Sequence, residues 1–279
     1  MKVLTAVSDV RARLAFRGGT LGLVPTMGAL HAGHLSLVTR ARSENDRVAV
    51  SVFVNPAQFG PSEDLAAYPR PFESDLGLLG SLGVDVVWAP SQGDVYPPGF
   101  QTWVTVDEVS APLEGARRPG HFRGVATVVA KLLNVFGPDR AYFGQKDAQQ
   151  VAVIRRMVND LAFPVDIVVC PTVRETDGLA LSSRNVYLGH EERRAAPVIY
   201  RALSAARAAF EAGERDARRL RQILSEALAG EPLVEADYLS VADSATLAEL
   251  ERVDGAALVS LAARIGNARL IDNVVLGGT

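Results

Sequence analysis

One cysteine, Cys170, stands among 279 residues, so no intrachain disulfide can form. Flanked by Val168 and Val169, it reads as a buried strand thiol rather than a nucleophile, and a reducing cytoplasm fits such sparing use of thiols. Positive charge is not in excess either. Lys and Arg number 29 against 32 Asp and Glu, a formal net charge of −3, so no global basic field exists to attract nucleic acid. No apolar run is long enough to cross a membrane, and Lys2, Asp9, Arg11 and Arg13 interrupt the early turns where a signal peptide would be continuously apolar. What is present is globular in kind: 48% hydrophobic and 22% charged residues argue against disorder. The length suits one large α/β unit or two domains.

The chain is organised around Leu21 to Val38. An apolar run ending at Pro25 reads as a buried parallel strand, a small glycine-bearing loop follows, and a helical pattern starts near Gly33 with Leu35, Val38 and Ala41 on one face. In an open α/β sheet the ligand crevice lies outside the carboxyl ends of the strands, which is where the loop from Met27 to His34 would sit. Amides at the helix start favour a phosphate there. His31 and His34, three residues apart, turn to one side of the first helical turn, and each can donate to a phosphate oxygen. The competing reading is a pair of capping or surface histidines.

Before this stretch, Ser8 is expected to cap a helix reaching about Phe16, with Val10, Leu14 and Ala15 inward. After it, Arg47 to Phe53 reads as a central strand delivering Asn55-Pro56-Ala57-Gln58. The two amides can donate and accept, which suits a ligand carrying hydroxyl and carboxylate groups; two solvated loop amides are the plain alternative. A helix from about Phe72, a strand over Val84 to Trp88, a loop or lid over Pro90 to Gly99 and an edge strand over Thr102 to Val106 follow. Arg117, Arg118, His121 and Arg123 form a local basic cluster with two readings, a solvated face or a phosphate-facing flap.

Val125 to Phe136 reads as an interior helix, and Arg140 to Phe143 as a strand ending in Gly144-Gln145-Lys146-Asp147, which opens a helix through about Asp160. Lys146 gains nothing from the dipole at a helix start, so an anionic ligand explains it better, and Gln150 lies one turn further along. Val165 to Val169 is a further buried strand. Beyond Pro171 the character changes: an Asp177-Gly178 hairpin, then Ser182-Ser183-Arg184, a donor-only array suited to phosphates, or an exposed helix cap. Helices over Glu191 to Ala212 and Asp216 to Ala229, and strands near Ala236 to Val241, Ala256 to Ala263 and Ala268 to Asn273, complete the chain. The expected fold class is α/β, a doubly wound parallel sheet over 1–171, with a second, smaller α+β domain over 172–279.

Taken together, Pro25 to His34, Phe53 to Phe59, Gly120 to Gly124, Gly144 to Asp147 and Ser182 to Asn185, in that order, resemble the pantothenate synthetases, or pantoate–β-alanine ligases. The His-x-Gly-His element alone indicates only the wider nucleotidyltransferase-like superfamily. The resemblance implies a Rossmann-like first domain, a smaller lid domain, a cytoplasmic homodimer, and ATP with Mg²⁺. It also implies a two-step reaction in which pantoate forms a pantoyl adenylate and β-alanine then displaces AMP. By the same resemblance, Met27, Gly28, Ala29, Leu30, His31, Ala32, Gly33 and His34 hold ATP, and the two histidines donate to its phosphates. Lys146 steadies the α-phosphate, and Ser182, Ser183 and Arg184 close on the β- and γ-phosphates. Gly144, Asp147 and the backbone at Val173 contact adenosine, with Gln145 and Leu181 alongside as mild departures from the family pattern. Asn55, Gln58 and Gln150 bind the hydroxy acid, and Asp75 matches an acidic position near the metal. The nearest rival is a nucleotidyltransferase adenylylating a phosphate ester, which would call for more cations around the acceptor than these amides supply.

Overall fold

The computed structural model describes residues 1–15, 18–61 and 63–277, which form two compact units: Met1–Gly144 with Gln150–Pro171, and Gln145–Gln149 with the chain from Thr172 onward. The first unit is built on six strands, β1 (Lys2–Leu4), β2 (Leu21–Thr26), β3 (Arg47–Val52), β4 (Val86–Trp88), β5 (Arg140–Gly144) and β6 (Asp166–Cys170). Their order is β1-β4-β3-β2-β5-β6, and every pairing is parallel. Valine-rich strands buried on both faces leave no polar side to expose, which is why the sheet needs helices above and below it. Around the sheet run α1 (Val7–Leu14), α2 (Ala32–Glu44), α3 (Phe72–Ser81), α4 (Gln92–Val95), α5 (Glu114–Arg117), α6 (His121–Phe136) and α7 (Ala148–Asp160).

On one face, Leu37, Val38 and Ala41 of α2 and Leu79 of α3 pack on Val24, Val48, Val50 and Val87. The alternation of the strands sends Trp88 the other way, where it meets Phe136 of α6 edge-on at 6.0 Å between ring centres. The strand order reverses between β2 and β5, so their carboxyl ends border the crevice of a doubly wound sheet, and the loop carrying His31 and His34 leaves from there.

The second unit packs α9 (Val198–Glu211) and α10 (Ala217–Ala229) on an antiparallel sheet of β7 (Val234–Asp243), β8 (Ala257–Ile265) and β9 (Ala268–Leu276). Leu203, Leu220 and Leu224 meet Val259, Leu261 and Ala263 in its core. The short helix α8 (His190–Ala195) precedes α9. The hairpin before it closes through Leu181 N–H to Val173 O at 3.0 Å and Gly178 N–H to Glu175 O at 2.9 Å.

Several local expectations are corrected. Ser8 lies inside α1, whose N-cap is Ala6 without a side-chain cap, Ala15 is exposed, and Phe16 lies outside the described residues. The single helix expected over Glu191 to Ala212 is two, because Pro197 has no N–H to continue the first. Strand β1 has no counterpart among the expected elements; with three residues it carries no readable period. The segment Thr102 to Val106 joins neither sheet, and Val104 donates its N–H to the Thr127 hydroxyl instead.

Helix α6 sits against the turn Pro56–Gln58 with no room to spare. A Cβ at Gly124 would stand 2.2 Å from the Ala57 carbonyl oxygen. Gly124→Ala is therefore expected to lower stability by about 2 kcal/mol in urea unfolding. Gly77→Ala, on the exposed side of α3 with nothing within 4 Å of the added carbon, should gain roughly 0.5 kcal/mol from backbone entropy.

Candidate active site

The loop after β2 turns through two left-handed residues, Gly28 at φ +83° and Ala29 at φ +51°. Glycine is required at 28, where a Cβ would crowd Asp75 Oδ2 and Val52 Cγ1 at 3.1 Å each. Asp75, on the first turn of α3 and 2% exposed, holds the turn by accepting Ala29 N–H at Oδ2 and Leu30 N–H at Oδ1, both at 2.9 Å. Each Asp75 oxygen thus receives one loop amide, which fixes the carboxylate against the turn.

His31 is the N-cap of α2: its Nδ1 accepts Gly33 N–H at 3.2 Å, and His34 Nδ1 accepts His31 N–H at 3.4 Å. A ring nitrogen that accepts cannot carry the proton, so each neutral imidazole bears its hydrogen on Nε2. The two rings lie 4.1 Å apart at 40°. The capping reading therefore holds, through the Nδ1 of each ring.

Beside this loop, Gln58 Nε2 lies 3.4 Å from the Met27 sulfur. Asn55 is 1% exposed, and its amide is saturated by protein: Nδ2 donates to Gln58 Oε1 and Gly124 O, while Oδ1 accepts Tyr96 O–H and Ala57 N–H. Asn55 therefore fixes the Gln58 side chain instead of meeting a ligand with its own. Burial pushes the Tyr96 hydroxyl up to about 12, which keeps it a donor to Asn55.

The basic cluster resolves differently from both sequence readings at two of its members. Arg118 forms a bidentate pair with Glu63 at 2.7 and 2.8 Å and donates to His121 Nε2 at 3.1 Å. His121 Nδ1–H in turn donates to the Gln58 carbonyl at 2.8 Å. These side chains pin the amide loop from behind. Arg123 lies over the Trp103 ring at 4.9 Å.

In the second unit, Gln145–Asp147 forms a 3-10 turn, so Lys146 precedes α7 and is not on the helix that carries Gln150. Lys146 Nζ lies 3.5 Å from Asp147 Oδ1. Asn273 of β9 holds the turn, donating to Gln145 O at 3.0 Å and Lys146 O at 2.9 Å. Ser182 caps a second 3-10 turn, Ser183–Tyr187, by accepting Arg184 N–H at 3.3 Å. Lys146 and Ser182 line one small cavity with Leu179, Ala180 and Asp272. Asp272 receives both guanidinium nitrogens of Arg174; burial raises its carboxyl pKa, while Arg174 pulls it down. Asp272 and Asn273 escaped the sequence reading, although two adjacent polar residues inside the apolar run of β9 were a visible anomaly. Cys170 is buried at the end of β6, and burial raises its thiol pKa.

His121 generates a pH dependence. Burial, with the Arg118 charge second, lowers its pKa from 6.5 to about 4, so the folded chain keeps the ring neutral while the unfolded chain protonates it. Stability should be intact above about pH 6.5 and fall as pH drops toward 4, by on the order of 3 kcal/mol in total from this group. Urea unfolding across that interval measures the slope, which His121→Gln should flatten.

The pantoate-beta-alanine ligase family model matches residues 2–275. The pantothenate synthetase of Roseiflexus castenholzii is 60% identical over 276 residues, covering 99% of each chain, and that of Herpetosiphon aurantiacus is 58% identical over 99% of this chain and 100% of its own. Among solved structures, pantothenate synthetase from Thermus thermophilus superposes with a TM-score of 0.95 at 51% identity, over 98% of this chain and 99% of its own. The pantoate-beta-alanine ligase of Francisella tularensis, complexed with beta-gamma ATP and beta-alanine, gives 0.81 at 36% identity over 99% and 97%. With the glycine turn, the imidazole pair and the amide loop arranged as described, this chain belongs to the pantoate–β-alanine ligase family.

Proposed function

We propose that this enzyme joins pantoate to β-alanine in two steps driven by ATP. The pantoate carboxylate attacks the α-phosphorus, the bond to the β-phosphate oxygen breaks, and pyrophosphate leaves. The β-alanine amine then attacks the acyl carbon of pantoyl adenylate, loses a proton, and AMP departs with the electron pair of the acyl–oxygen bond. Both leaving groups are anionic oxygens, so catalysis rests on positioned donors and cations.

The observation that carries this reading is the imidazole pair with Nδ1 engaged by the α2 backbone, which leaves Nε2–H as the donor on both rings. Such hydrogens suit phosphate oxygens at a helix start. Lys146 supplies a mobile charge to the α-phosphate, and Arg184 with Ser182 and Ser183 supplies the planar fork and hydroxyls for the β- and γ-phosphates. Met27 to Gly33, Gly144, Gln145, Asp147, Val173 and Leu181 border the nucleotide. Gln58 and Gln150 bind pantoate, and Asn55 acts through Gln58. Uncharged amides favour a hydroxy acid over the phosphate ester of a nucleotidyltransferase. The ATP complex of the Francisella ligase supports ATP as co-substrate. Magnesium would ride mostly on phosphate oxygens and water, with Asp75 as the acidic side chain near it; each Asp75 oxygen accepts one loop amide and keeps a lone pair.

A homodimer is part of the proposal, supported by the stretch Thr102 to Val106, which joins neither sheet and leaves Trp103 41% exposed. The single buried thiol supports a cytoplasmic setting.

Incubation with ATP, Mg²⁺, pantoate and β-alanine should yield AMP and pyrophosphate only when pantoate is present. ADP in their place would replace the adenylate with an acyl phosphate. His34→Ala and Lys146→Ala should each lower turnover by at least about a hundredfold while leaving the unfolding midpoint within a few degrees. Full turnover in either variant removes that residue from the mechanism.

A further inference from the structure

Strand β9 carries two adjacent buried polar residues that the mechanism above does not use. Successive residues of a strand project to opposite sides, so Asp272 and Asn273 reach different segments of the second unit. Asn273 is 4% exposed, and its amide makes three bonds to a single turn. Nδ2 donates to the Gln145 and Lys146 carbonyls, and Oδ1 accepts Gln145 Nε2–H at 3.0 Å. Asp272 accepts Arg174 at 2.5 and 2.9 Å. Arg174 in turn donates to Gly178 O at 3.1 Å and lies 3.8 Å over the Tyr200 ring. The hairpin so anchored runs directly into Ser182-Ser183-Arg184.

A buried amide is costly unless its hydrogen bonds are met, and an apolar residue would suit the interior of a strand as well. Here the bonds are met by the carbonyls on either side of the Lys146 N–H, in a three-residue turn. We propose that Asn273 is a positioning residue for Lys146, holding its turn so that the ammonium serves adenylyl transfer, while Asp272 ties the hairpin leading to Arg184 to the same strand. This rests on the proposed role of Lys146. Asn273 touches no reacting atom; it sets where the cation stands.

The test is a double-mutant cycle on the full-length enzyme, with Asn273→Ala and Lys146→Ala singly and together, read by the pantoate-dependent rate of AMP formation. Asn273→Ala is expected to lower kcat by roughly ten- to a hundredfold, to leave KM for pantoate within about twofold, and to shift the unfolding midpoint by no more than a few degrees. With Lys146 already removed, the same substitution should change the residual rate by less than about twofold. A loss of equal size in both backgrounds, or no loss of kcat in the unaltered one, overturns the proposal. If Asn273→Ala does not fold, Asn273→Asp, which keeps the shape and Oδ1 but not the paired donors, carries the same cycle. Failure of both to fold also overturns it, because the amide would then be serving the fold alone. The parent reading fails separately, through absence of AMP from the unaltered enzyme or full turnover of Lys146→Ala.

Discussion

The first unit depends on one carboxylate. Asp75 gathers the N–H groups of Ala29 and Leu30 and thereby holds a turn that passes through two left-handed residues, a conformation an alanine adopts only when its surroundings impose it. That turn delivers His31 to the N-cap of α2, and the cap sets the hydrogen on both imidazoles. A buried acid distant in sequence therefore governs which nitrogen of each histidine can donate. The same economy recurs behind the amide loop, where Glu63, Arg118 and His121 form a chain ending on the Gln58 carbonyl.

The two units bring different chemistry. The first offers neutral hydrogen-bonding groups, imidazoles and carboxamides, whose orientation is fixed by backbone and buried partners. The second carries Lys146 and Arg184, both on single 3-10 turns. Short turns of this kind have poor hydrogen-bond geometry and few neighbours of their own, so their stiffness must be borrowed from elsewhere. β9 is the element that lends it at Lys146.

Local periodicity made much of this legible. The strand–loop–helix at Leu21 to Glu44, the parallel sheet, the interior helix before Gly137 and the antiparallel strands of the smaller unit all follow from apolar spacing and turn chemistry. What escaped was non-local. The two loop amides that Asp75 holds stand 45 and 46 residues away, and nothing in its sequence neighbourhood announces them. Arg118 and His121 resembled a solvated or phosphate-facing patch because Glu63 and the Gln58 carbonyl are recruited only by folding. Asn55 looked like a ligand group until Tyr96 and Gly124 were found at its amide. In each case the residue type was informative and the partner was not, because a side chain's hydrogen bonds are assigned by tertiary packing.

Cys170, enclosed at the end of β6 with its thiol disfavoured from ionising, has a practical corollary. Thiolate is the species that reacts with maleimides and disulfide reagents, so the native chain is close to silent toward them. Fluorophores or spin labels can accordingly be installed at chosen surface cysteines, one in each unit, without first deleting an endogenous competitor.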